Sequence, residues 1–207
     1  MSTPILQVSG LSFAYPEREL FSDLSLNIPS GVTLVQGGDG RGKTTLLQLL
    51  AGRMQAQAGR LELKGIDLHT EGEAYRRQIF CMELRSEAYD QMNVPEYFAS
   101  VHAAFPGFDA SRLPALIEGL SLTPHVEKKL FMLSTGSKRK VWLAAAFAAG
   151  ATLNLLDDPF AGLDQASINF VVKTLNAAAL NPQQAWVIAL YEPPQGVPLA
   201  QTLDLGD

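Results

Sequence analysis

Gly37-Gly38-Asp39-Gly40-Arg41-Gly42-Lys43-Thr44 fits the spacing G-x-x-x-x-G-K-[ST], the pattern of a phosphate-binding loop. Its flanks make the match specific. Gly31 opens Val32-Thr33-Leu34-Val35, a short apolar run with β-branched residues that predicts a fully buried strand. Downstream, the leucines at 46, 47, 49 and 50 fit a helix packed on most sides, with Gly52 placed to end it in a left-handed cap. Strand, glycine loop and helix in that order have a physical reason. Glycines let consecutive N–H groups curl around an anion, and the helix N-terminus adds its dipole. Lys43 is then placed to reach the outer phosphates, and the Thr44 hydroxyl to ligate Mg²⁺.

Outward from this loop the chain alternates between strand and helix signals. Residues 6–13 and 24–28 alternate apolar and polar, and 59–68 predicts a hairpin with Lys64-Gly65 at its turn. From 87 to 149 the patterns are helical, broken by Pro95, Pro106, Gly107, Pro114 and Pro124. Strand signals return at 152–156 and 186–190. Between them Ile168, Val171, Val172, Leu175 and Ala179 recur at helix spacing, with Asp164 available as N-cap. The alternation predicts an α/β fold: a mainly parallel sheet with crossover helices and one inserted helical subdomain, all in one domain over 1–207.

The 207 residues are 47% apolar and 18% charged, enough for a buried core and unlike a disordered chain. A net charge of −5 argues against a protein built to grip nucleic acid. The lone cysteine, Cys81, has no internal disulfide partner and reads as a small buried hydrophobe, which points to a reducing compartment. No signal peptide is visible, and the most apolar stretch, 141–151, falls short of the roughly 20 residues that span a bilayer. The expectation is a soluble intracellular chain that reaches a membrane only through a partner. His69, His102 and His125 are scattered without metal-ligand spacing.

Asp157 ends the apolar run Leu153-Asn154-Leu155-Leu156, where a carboxylate in P-loop proteins helps hold Mg²⁺, and Asp158 follows in position to orient an attacking water. Before that run stands Leu133-Ser134-Thr135-Gly136-Ser137, ahead of Lys138-Arg139-Lys140-Val141. This segment resembles the signature motif of ABC-type ATPases, usually Leu-Ser-Gly-Gly-Gln. Tyr15 matches the family's adenine-stacking aromatic, and Ala161-Gly162-Leu163-Asp164, just after Asp157-Asp158-Pro159, resembles its D-loop. Four motifs in the right order cover nearly the whole chain. The resemblance implies a P-loop NTPase fold of the ABC type, with a mainly parallel core sheet, an antiparallel β subdomain and an inserted helical subdomain. It implies ATP and Mg²⁺ as ligands, with Tyr15, Gly37, Gly38, Asp39, Gly40, Arg41, Gly42, Lys43, Thr44, Thr45, Ser134 and Gly136 at the nucleotide and Thr44 and Asp157 at the metal.

The family likeness further implies a head-to-tail dimer, homomeric or heteromeric, with each ATP between the P-loop of one subunit and the signature motif of the other. Ser134 and the Gly136 amide, starting a helix, offer a second anion-binding N-terminus there. Membrane-spanning permease subunits on separate chains are implied as partners, docked near residues 83–98, with the protein peripheral on the cytoplasmic face and no nucleic acid involved. Lys138, Arg139 and Lys140 are expected as a solvated helix face rather than as direct phosphate contacts, and Trp142 as helix packing.

Three positions depart from the family pattern. Asp158 stands where a glutamate is usual, one methylene shorter; Glu192 stands where a histidine is usual, a carboxylate facing the γ-phosphate position; and Glu83 or Leu84 replaces a glutamine. Asp39 and Arg41 are also unusual in the loop, Arg41 offsetting the added negative charge. These changes predict intact nucleotide binding and weakened hydrolysis at Asp158 and Glu192, so the alternative reading is a degenerate regulatory or heterodimer subunit with little ATPase activity. Pro193, Pro194 and Pro198 leave little room for a helix after Glu192, and 200–206 resembles a short terminal strand pair closing a minimal cassette.

Overall fold

Residues 3–82 and 87–206 are described by a computed structural model. They fall into a first unit within Met1–Cys81, Thr152–Asp157 and Ala179–Asp207, and a second within Met82–Ala151 and Asp158–Ala178.

The first unit carries two sheets. Strand β1 (Leu6–Tyr15) alternates buried and exposed residues along most of its length, and pairs antiparallel with β2 (Arg18–Ile28) and with β4 (Ala58–Leu63). The short β5 (Ile66–Asp67) returns from β4 through Lys64 and Gly65, both at positive φ (48° and 85°), which is the two-residue turn predicted from their identity. The second sheet has the order β6-β7-β8-β3-β9: β6 (Ile79–Cys81), β7 (Leu153–Asp157), β8 (Ala185–Leu190), β3 (Gly31–Gln36) and β9 (Gln201–Asp204), with every neighbouring pair parallel. β3 lies between β8 and β9 and is buried from Gly31 to Val35, which is why its sequence runs apolar instead of alternating. The expected terminal strand pair is corrected to one strand, β9, because its carbonyls and amides pair with β3 and not with a second terminal segment.

Helix α1 (Lys43–Leu50) buries Thr45, Leu46, Leu47, Leu49 and Leu50 against this unit's core. It stops at Gly52, whose φ of 65° places it in the left-handed region, and a Cβ there would stand 2.6 Å from Leu68 Cδ1. Tyr75 in α2 (Gly72–Arg76) is fully buried and donates its hydroxyl to the Leu50 carbonyl at 2.8 Å; burial pushes the phenol above its ordinary pKa.

The second unit is helical, with no strand among its described residues. Helix α3 (Val94–Ala104) opens with a reciprocal cap: Glu96 N–H donates to Asn93 Oδ1 at 2.9 Å, and Asn93 N–H donates to Glu96 Oε2 at 2.7 Å. Helix α4 (Leu113–Gly119) follows, then α5 (Thr135–Ala149) and α6 (Gln165–Ala178). Every residue of α5 from 139 to 149 is buried, so this helix is the unit's centre and not an amphipathic face. Trp142 packs on Tyr97 with ring centroids 5.1 Å apart, the packing role expected of it. No described helix is long and apolar enough to cross a membrane.

Candidate functional site

β3 delivers the chain into the glycine loop, and α1 carries it away. Gly40 and Gly42 take φ of 73° and 94°, a curl that a β-carbon would strain. The loop is propped from below by the end of the chain: Gly38 N–H donates to the Gly206 carbonyl at 3.0 Å, and Leu205 N–H to the Gln36 carbonyl at 2.8 Å. Gly42 is the N-cap of α1, in the left-handed region and with no side chain satisfying the first turn. That helix start therefore keeps its orphan amides for something other than its own residues.

Four side chains complete the cradle. Lys43 Nζ donates to the Gly37 carbonyl and, at 2.8 Å, to the Gly38 carbonyl, which lays the ammonium along the loop. Thr44 Oγ1 donates to Asp157 Oδ2 at 2.6 Å, so the first turn of α1 and the end of β7 bring a hydroxyl and a carboxylate together. Both are hard oxygen donors, the type Mg²⁺ prefers, and they sit where a metal could take further oxygens from phosphate and water. The residues fit a magnesium-bound polyphosphate. Tyr15, at the end of β1, has its hydroxyl 3.2 Å from Thr45 Oγ1, sets its ring edge-on against Phe13, and leaves 45% of its surface open for a stacking partner.

Beside the loop lies a cavity of about 780 Å³ lined by Arg18, Gly38, Asp39, Arg41 and Tyr191, within the size range of ligand pockets. Arg18 and Tyr191 were not legible as site residues in the sequence. Arg18 belongs to no spacing pattern, and only the hairpin register places it there.

The residues expected to act on water differ from the cradle. Asp158, next after β7, is exposed and has φ 46°, a left-handed backbone that aspartate tolerates better than most residues. Glu192 is exposed just beyond β8. Among the described residues neither side chain forms an ion pair or a hydrogen bond. Glu83 and Leu84, the candidates for the glutamine position, lie outside the described residues.

In the second unit, Ser134 is the N-cap of α5: its Oγ accepts from Ser137 N–H at 3.1 Å and donates to Ser137 Oγ at 3.0 Å. Gly136 faces the 161–164 turn so closely that a Cβ on it would stand 2.3 Å from the Gly162 carbonyl oxygen. The expectation of a solvated basic face is corrected here. Arg139 and Lys140 are only 8% and 9% exposed, and all three cations are engaged. Lys138 Nζ bonds Asp90 Oδ1 at 2.6 Å, Arg139 Nη1 donates to the Ala161 carbonyl, and Lys140 Nζ pairs with Asp164. Because α5 is buried on nearly every side, charges on it need internal partners. Asp164 also accepts from Ser167 N–H at 2.9 Å, the expected cap of α6; the Lys140 ammonium, with this cap, holds its carboxyl well below the usual carboxylate range.

A family model described as ABC transporter matches residues 21–161. The cytochrome c biogenesis ATP-binding export protein CcmA of Pseudomonas syringae pv. syringae is 32% identical over 177 residues, covering 84% of this chain and 82% of its own. The ABC-type transporter ATP-binding protein EcsA of Bacillus subtilis is 27% identical over 179 residues, covering 84% of this chain and 72% of its own. Among solved structures, a putative ABC transporter ATP-binding protein from Pyrococcus furiosus superposes with a TM-score of 0.78 at 23% identity, covering 97% of this chain and 96% of that one. An ATP-binding subunit of an ABC transporter superposes with a TM-score of 0.80 at 24% identity, covering 89% of this chain and 79% of that one.

Proposed function

Since the chain belongs to the ABC transporter family as an ATP-binding subunit, we propose that it binds Mg²⁺-ATP in the cradle of Gly37, Gly38, Asp39, Gly40, Arg41, Gly42, Lys43, Thr44 and Thr45, with Tyr15 on the adenine. Its two units act as one nucleotide-binding domain. The observation that carries the proposal is the 2.6 Å bond between Thr44 and Asp157 at the start of a helix with no side-chain cap. A divalent ion at that pair would neutralise phosphate charge and fix the polyphosphate against the loop amides. The chain's own residues do the rest: the amides of 38–44 bind, Lys43 orients, and Tyr15 sets the base.

Closure then needs a second subunit, the same or related, whose Ser134 and Gly136 cover the outer phosphate. Membrane-spanning partners on separate chains would receive the resulting movement at the cytoplasmic face. The likeness to CcmA, named as an export protein, favours export as the direction.

Asp158 and Glu192 favour a second reading, in which binding outlasts chemistry. Both are exposed carboxylates with no partner among the described residues, one a methylene short as a base and the other repelling phosphate. A misplaced general base forfeits much of the roughly 10²–10⁴-fold it contributes. Calorimetry with Mg²⁺-ATP on the purified chain and on Lys43→Ala tests binding: a fit for the parent and none for the variant is expected, and equal affinity overturns the proposal. Steady-state ATPase assays on the parent, Asp158→Glu and Glu192→His test the second reading. Slow turnover that rises in both variants supports a weakened catalytic subunit; brisk turnover in the parent that neither variant improves removes it.

A further inference from the structure

We propose that Arg18 is a phosphate-contacting residue of this site, supplying a cation from the β1–β2 hairpin that the family motifs do not contain. The proposal rests on the ATP-binding reading above and assigns a further residue within it.

The hairpin register carries the argument. Tyr15 and Arg18 are direct partners across the β1–β2 ladder, closed by the two-residue turn Pro16-Glu17. Directly opposed residues in an antiparallel pair project from the same face of the sheet. Tyr15 already touches Thr45 in the first helical turn after the loop, so its partner is aimed at the loop itself. Arg18 Nη1 lies 3.5 Å from where a Cβ on Gly40 would stand, against bare backbone at the loop tip, and Arg18 lines the cavity beside it.

The charge balance points the same way. Two guanidiniums, Arg18 and Arg41, and one carboxylate, Asp39, line that cavity, a local surplus of one positive charge in a chain whose net charge is −5. None of the three forms an ion pair or side-chain hydrogen bond with a described residue. A guanidinium beside a carboxylate, neither paired, is a site still short of its partner. The forked donors of arginine match non-bridging phosphate oxygens, and the surplus offsets the repulsion that Asp39 introduces into the loop. Arg18 therefore restores to the cradle attraction that Asp39 takes away.

Calorimetry with Mg²⁺-ATP on the intact chain, at several salt concentrations, tests this with Arg18→Ala, Arg18→Lys and Lys43→Ala. Arg18→Ala is expected to weaken binding by about tenfold, as for loss of a hydrogen bond to a charged group, and to make the affinity less salt-dependent. Arg18→Lys keeps the charge without the fork and is expected to lose only about threefold. Thermal melts of Arg18→Ala should match the parent, because the residue is exposed. Parent-like affinity in Arg18→Ala, with Lys43→Ala unable to bind, overturns the role of Arg18 and leaves the ATP site standing. No binding by the parent sinks both. Weakened binding with an unchanged salt slope, or Arg18→Lys as weak as Arg18→Ala, also overturns the phosphate contact.

Discussion

The chain begins two helices at candidate anion sites, and it begins them in opposite ways. α1 starts at Gly42 in a left-handed conformation with no side chain on its orphan amides. α5 starts at Ser134, whose hydroxyl already takes the Ser137 amide. Around Gly42 a Cβ would meet only the ends of Leu20 and Phe21, at 3.1 Å, while around Gly136 it would run into the Gly162 carbonyl at 2.3 Å. The first helix start carries no side-chain cap, and the Lys43 ammonium, the Thr44–Asp157 bond and the Gly38–Gly206 backbone bond hold the loop around it. The second is closed on itself and pinned to a neighbouring turn by Lys140 and Arg139. A helix end without a side-chain cap leaves its orphan amides free for another acceptor, whereas a capped and closely packed one has its position fixed by side chains.

The largest break in that contrast comes from Gly136→Ala. Its methyl group would have to displace backbone, and the expected cost is about 3 kcal/mol of stability, read as a lower denaturation midpoint, with Mg²⁺-ATP binding retained by the molecules still folded. A stability within about 0.5 kcal/mol of the parent would mean that the 161–164 turn yields freely, and the pinned half of the comparison would fall.

Asp164→Asn comes next. Asparagine still caps α6 but leaves the buried Lys140 without its counter-charge, for an expected loss of about 2 kcal/mol near neutral pH, discounted because Asp164 is itself half exposed. The pH dependence has a definite sign. The folded carboxyl is depressed below its unfolded value, so its contribution is whole above about pH 4 and is lost as the pH falls through and below that. Parent and variant should differ most near neutrality and converge in acid. A gap that stays constant down to about pH 3 would show that the charge of Asp164 is not what holds the turn.

The same contrast explains what could be seen from the letters. The cradle was legible because glycine spacing is itself the record of a backbone job, and β3 was legible because a strand buried on both faces leaves a nearly unbroken apolar run. The Lys64-Gly65 turn announced itself in the same local way. β2 was only half legible: it spans Arg18–Ile28, but Asp23 at φ 54° and the register shifts of its ladder with β1 break the alternation before Leu24. The basic run 138–140 misled because three adjacent cations look like a wet surface, while Asp90, Ala161 and Asp164, which hold them, are distant in sequence. Arg18 was invisible for the same reason, since its place depends on a strand register and not on a spacing.

Thr44→Ala probes the bare helix start. Removing the hydroxyl leaves Asp157 without its donor and, on the proposed binding mode, takes away one oxygen ligand of the ion. Affinity for ATP in the presence of Mg²⁺ is expected to fall about tenfold, roughly 1.4 kcal/mol, while affinity measured with a chelator present changes little. Equal losses with and without the ion would mean that Thr44 serves the loop's shape, and the pair at 2.6 Å would then be structural.

Ser134→Ala is the smallest change and the sharpest test of the second helix start. Loss of an N-cap hydroxyl costs about 1 kcal/mol when nothing replaces it, and less when water reaches the freed amide. Ser134 is exposed, so water can reach, and a stability loss below about 1 kcal/mol is expected in thermal melts. Mg²⁺-ATP binding by a single subunit should not change, because the cradle proposed at α1 includes no group of the same subunit's α5. ATP-dependent pairing of subunits, followed by sedimentation, should weaken, because position 134 then has no hydroxyl to donate to an outer phosphate. If pairing instead strengthens, the self-cap of Ser134 on Ser137 was competing with the nucleotide for that amide, and the two helix starts would differ in readiness but not in kind.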